Sequence, residues 1–131
     1  DDSTKIIFLC SPNNPTGNSF SDESVVKLLQ NFKGLVVIDE AYIDFSKKES
    51  WLTEIDEYPN LIITQTLSKA YGLAGIRLGI CYASEAIIGV LRLTFFDFLS
   101  SLAYNKAWSF CSADVCGAFH RIFVLNTLRS W

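Results

Sequence analysis

A lysine and an arginine eight positions apart, Lys69 and Arg77, stand in the stretch TQTLSKAYGLAGIRLG over residues 64–79, with Gly72 and Gly75 between them. The apolar run Leu61 to Ile63 leads into it and places the lysine just past the end of an expected strand. In an open α/β sheet, ligand-binding groups gather at that edge. A lysine there suits covalent capture of a carbonyl. Its amine has a free pKa near ~10.4, and it acts at neutral pH once that value is lowered or the nitrogen is held as an imine. An arginine a short loop away offers the bidentate grip that a phosphate needs. Taken alone, the pair reads equally well as a solvated lysine and a surface arginine.

The elements that must position these groups can be followed along the chain. KIIFLC, residues 5–10, has strand length and composition, and SPNNPTGN after it is dense in turn formers. Asn14 precedes Pro15, so its backbone is expected to be extended, while Gly17 reads as a turn residue. Ser21 suits an N-cap, with Asp22 and Glu23 in the first turn of a helix that carries Val25, Leu28, Leu29 and Phe32 and ends at Gly34. LVVI, residues 35–38, suits a strand buried on both faces and runs into Asp39, Glu40, Ala41 and Tyr42. ESWLTEIDEY predicts a second helix, broken by Pro59-Asn60 before the strand LIITQT. The order strand, helix, strand, helix, strand predicts an α/β fold with a parallel sheet. RLGICYAS adds a strand, and Glu85 to Leu91 begins a helix. Three strand ends would then deliver Asn14, Asp39 with Tyr42, and Lys69 to one edge. Glu40, pointing opposite to Asp39, is expected to be structural.

Asp39 has two readings. VVIDE is similar to the acidic strand of P-loop NTPases, but the G-x-x-x-x-G-K-[ST] loop that chemistry requires is absent from this sequence. The other reading is a carboxylate that keeps a pyridine nitrogen protonated so that the ring can accept electrons, with Tyr42 and Asn14 in reach of a ring oxygen.

SPNNPTG, VVIDEAY and TLSKAYGLAGIR together resemble, in order and spacing, the fold-type I pyridoxal-phosphate aminotransferases, over about residues 5–91. The short interval between DEAY and TLSK is most similar to the histidinol-phosphate branch of that family. The resemblance implies an incomplete parallel-sheet core of the large domain of a fold-type I transferase, with pyridoxal 5'-phosphate as cofactor. It implies Lys69 as the Schiff-base lysine and proton shuttle, and Asp39 as the partner of the pyridinium nitrogen. Asn14 and Tyr42 would serve the ring oxygen, and Arg77, Thr66 and Ser68 the phosphate. It further implies amino-group exchange between glutamate and an imidazole-acetol phosphate, and a homodimer in the full-length family. A decarboxylase or another aminotransferase of the same fold, or a non-catalytic remnant, are the alternatives.

At 131 residues the chain has the length of one domain, and its net charge of -3 with no basic stripe argues against a nucleic-acid partner. No signal peptide is evident, and the apolar window 86–104 carries Arg92 and Asp97, which argues against a membrane span. Cys10, Cys81, Cys111 and Cys116 form no C-x-x-C pair, and the sole histidine, His120, completes no metal site. Reduced thiols and a cytoplasmic location are expected.

The sequence reads as a piece of something longer. Residues 1–91 carry seven basic and twelve acidic side chains, whereas 92–131 carry four and two, with no glutamate and no proline. That tail departs from the family pattern and is expected to be a foreign or out-of-frame continuation. An upstream phosphate loop, a ring-stacking aromatic and a small-domain arginine are missing, so the chain by itself is expected to fall short of an ordinary turnover of about 1–1000 per second.

Overall fold

The computed structural model describes residues 3–76, 78–101, 110–111 and 122–126, with side chains through residue 94. The elements run β1 (Ile6–Cys10), α1 (Asp22–Asn31), β2 (Leu35–Asp39), β3 (Leu61–Thr66), β4 (Leu78–Ala83), α2 (Glu85–Ser101), β5 (Phe110–Cys111) and β6 (Ile122–Asn126). The strands form one sheet in the order β1-β2-β3-β4-β6-β5.

Strand β2 is continuously apolar because both its faces are covered. On one side Val36 and Ile38 join Leu61 and Ile63 of β3 beneath Val25 and Leu29 of α1. On the other, Val37 and Ile62 meet Ala83 and Ile88 at the start of α2. Helix α1 begins where expected: the Ser21 side chain accepts from Ser24 N, and Asp22 and Glu23 follow. Its far end is finished by a distant residue. Asn60 Nδ2 donates to the carbonyls of Leu29 (3.1 Å), Phe32 (3.3 Å) and Gly34 (3.3 Å), tying the helix exit to the start of β3. Gly34 is required by close approach: a Cβ there would lie 2.2 Å from the Lys5 carbonyl oxygen, which accepts from Leu35 N.

Strands β1, β2 and β3 are parallel, as the element order predicts. Two expectations need correction. ESWLTEIDEY is not an α-helix but a 3-10 turn over Trp51–Glu54 followed by further turns. Its N-terminus is seized by side chains instead: Ser50 caps Leu52 N, and Glu40 accepts from Trp51 N at 2.8 Å. Trp51, Leu52, Ile55 and Tyr58 still pack against the core beneath α1, so the apolar side was read correctly and the geometry was not. The sheet is also not wholly parallel, because β4 runs antiparallel to β3, with Thr64 opposite Cys81. The linking segment 67–77 is too short for a crossover helix, so the chain must turn back on itself. Strand β6 then lies antiparallel to β4, and β5 to β6.

Candidate functional site

The polar groups at the carboxyl ends of β1, β2 and β3 meet around Tyr42. The ladder between β1 and β2 runs one step past the strands, with Ser11 N donating to Asp39 O at 3.0 Å, so the loop SPNNPTG rises beside Asp39. The loop closes on itself through Gly17 N to Asn13 O at 2.7 Å, and Gly17 takes a φ of 71° that a side chain would disfavour. From this loop Asn14 Nδ2 donates to the Tyr42 hydroxyl at 2.9 Å. From the other side, Lys69 Nζ lies 5.3 Å from the centroid of the Tyr42 ring. Asn14 and Lys69 are exposed and Tyr42 is half-buried, so the cluster opens to solvent.

Asp39 ends β2 and is half-buried. Its Oδ1 accepts from Ala41 N at 3.1 Å and from Thr64 Oγ1 at 3.3 Å. Both bonds fall on that one oxygen; among the described residues no donor reaches Oδ2. Thr64 is the register partner of Asp39 on β3, and sequence reasoning missed it because alternation within LIITQT does not reveal the register.

Lys69 sits in the reversal between β3 and β4. Leu67 N donates to Leu78 O at 3.4 Å, Leu73 N to Leu67 O at 3.0 Å, and Gly72 N to Lys69 O at 3.0 Å. Thr66 is partly spent on this turn, because its hydroxyl accepts from Ser68 N at 3.1 Å and donates to Leu78 O at 3.4 Å. The half-buried Ser68 hydroxyl makes no hydrogen bond among the described residues. Arg77 lies outside the described residues. A cleft of about 320 Å³ is lined by Asn14 and Tyr42 together with Pro12, Phe45 and Ser46. A larger one of about 420 Å³, between α1 and residues 48–54, touches none of the site residues.

Behind the site, Glu40 is 1% exposed. Its Oε2 accepts from Ser50 Oγ at 2.6 Å and Gln65 Nε2 at 2.9 Å, and its Oε1 from Trp51 N. No group of three or more His, Cys, Asp or Glu side chains among the described residues could hold a metal ion, and no described helix is long and apolar enough to cross a membrane.

A family profile described as aminotransferase class I and II matches residues 1–107. The chain belongs to that family. A histidinol-phosphate aminotransferase of Flavobacterium johnsoniae is 93% identical over 92 residues, covering 70% of this chain and 26% of the relative. One of Parabacteroides distasonis is 56% identical over 108 residues, covering 82% and 31%. Among solved structures, a pyridoxal-phosphate-dependent aminotransferase of Streptococcus suis shares 30% identity at a TM-score of 0.62, covering 77% of this chain and 26% of that one. The chain thus spans about a quarter to a third of the length of these relatives.

Class I and II aminotransferases use pyridoxal 5'-phosphate, and the donor set here fits that group. An aspartate oxygen without a local donor suits a ring N–H. The Tyr42 hydroxyl receives its hydrogen bond from Asn14, so its own proton is free to be donated outward. An exposed amine with no carboxylate partner among the described residues suits a carbonyl carbon.

Proposed function

We propose that this chain is the cofactor-binding part of a histidinol-phosphate aminotransferase, exchanging an amino group between glutamate and imidazole-acetol phosphate in histidine biosynthesis. The meeting of Asn14, Tyr42 and Lys69 from three separate segments carries the cofactor reading. The names of the similar proteins support the substrate. Pyridoxal phosphate bound here supplies an electron sink for the carbanion left when an amino acid loses its α proton. Lys69 Nζ would hold the carbonyl carbon, and as a free amine it would carry the α proton. Asp39 Oδ2 accepts the ring N–H and keeps it protonated. Tyr42 and Asn14 donate to the ring oxygen, and Arg77 with Thr66 and Ser68 binds the phosphate.

A second reading rests on a threonine-phosphate decarboxylase of Porphyromonas gingivalis, 32% identical at a TM-score of 0.55 and covering 60% of this chain. On that reading the same residues of this chain would hold the cofactor and the substrate would differ. In either case residues 1–91 would carry the cofactor chemistry, and the departure from the family pattern falls within the tail 92–131, the profile match itself running to residue 107. A second copy of the full-length protein completes the site in the cytoplasm.

The test is reduction of the chain with borohydride in the presence of pyridoxal phosphate, followed by peptide mapping. A pyridoxyl adduct concentrated on Lys69 and lost in Lys69→Ala is expected. An adduct spread evenly over the lysines, or none, would leave only an inert remnant of the fold.

A further inference from the structure

We infer that Glu40 is a positioning residue that sets the mutual placement of Asp39, Tyr42 and Lys69. This rests on the cofactor reading above and adds to it a residue that touches no cofactor.

One buried carboxylate, next to Asp39 in the chain, binds both the loop that follows Tyr42 and the end of β3 that leads to Lys69. Glu40 follows Asp39 directly, so its backbone shares the end of β2; its N–H donates to Thr64 O at 2.8 Å and its carbonyl accepts from Ile43 N at 3.1 Å. Its side chain captures Ser50 and Trp51, which closes the loop that carries Tyr42. The same oxygen that meets Ser50 also meets Gln65, which precedes Thr66 and the turn to Lys69. Asp39 pairs across the sheet with Thr64, whose hydroxyl it meets, while the next side chain, Glu40, meets Gln65, the residue after Thr64. The end of β2 is therefore pinned through two successive side chains. All three Glu40 partners are donors, so the site calls for a group that only accepts. A glutamine turns an N–H₂ into this cluster, so Ser50 or Gln65 must reorient to accept it and the bonds to a charged acceptor are lost.

The consequence differs from that of an ordinary core residue. Loss of the carboxylate releases 41–50 and the turn after Gln65 while leaving the strands packed. Glu40→Gln is therefore expected to speed amide hydrogen exchange across residues 41–50 at least about tenfold in the cofactor-free chain, with β1 and the interior of β2 unchanged. It is also expected to lower the yield of borohydride-trapped pyridoxyl adduct on Lys69 at least about threefold, since an amine held less firmly beside Tyr42 meets the carbonyl less often in a productive geometry. The exchanged pair Glu40→Gln with Gln65→Glu returns a carboxylate to the same cluster and should restore both readouts. Unchanged exchange in Glu40→Gln, or faster exchange throughout the sheet, would overturn the proposal. So would an unchanged yield of the Lys69 adduct, or a double variant no better than the single one. Failure of the unaltered chain to take up pyridoxal phosphate would instead strike the cofactor reading, while the cofactor-free exchange result still decides the role of Glu40.

Discussion

Single residues differ sharply in what their surroundings let them do, and Cys10 and Cys81 show it. Burial pushes the Cys81 thiol up to about 11, whereas Cys10 is exposed at the end of β1. Burial, helped by the nearby Tyr71 and Glu40, also raises the Tyr82 phenol. A raised acid binds its proton more tightly folded than unfolded, so the unfolded chain is the first to ionise. Stability therefore owes nothing to pH through Cys81 below about 9 and falls as pH rises from 9 toward 11. Iodoacetamide at pH 8 followed by peptide mapping should label Cys10 well ahead of Cys81, and urea melts should weaken across the alkaline interval. Such differences are invisible in sequence, where both are cysteines of apolar strands. Asp39, Tyr42, Asn14 and Lys69 were legible because each follows an apolar run that ends in turn formers. Thr64 and the partners of Glu40 were not, because they depend on which residues of neighbouring strands face one another.

Between elements, the joints carry as much information as the strands. Asn60 completes the exit of α1 and the entry to β3 with one amide, three carbonyls sharing its two hydrogens. Asn60→Ala removes those bonds and leaves carbonyls without partners, so it should cost about 1–3 kcal/mol, read as a lower urea midpoint with an unchanged slope. Pro59-Asn60 was read only as a helix breaker, since a side chain reaching back some thirty positions leaves no local signal. The same blindness explains the segment 49–58. Its apolar spacing fits a helix, but the buried Glu40 holds its first N–H and hydroxyl, and a tighter turn results. The reversal at β4 follows from connection length, a constraint that counting strands does not include.

For the whole molecule, the outer face of β1 is the conspicuous surface. Ile6 is 47% and Phe8 71% exposed, and Phe8 lies on the same face as Val37, its neighbour on β2. Among the described residues strand β1 also ends the sheet, so an edge without a partner there and apolar side chains coincide. The chain should associate as concentration rises, and Phe8→Lys should reduce light scattering while shifting stability by less than about 0.5 kcal/mol, since an exposed position has little packing to lose. At the opposite border β5 lies beyond β6, and both strands fall in the tail expected from sequence to be a foreign continuation. The turn between β3 and β4 has a consequence for how such genes can vary. Both its ends are fastened to adjacent strands, so the interval from Thr66 to Gly79 works as a ruler for the amine at its middle. A codon gained between Thr66 and Lys69 would carry the nitrogen off its aromatic neighbour.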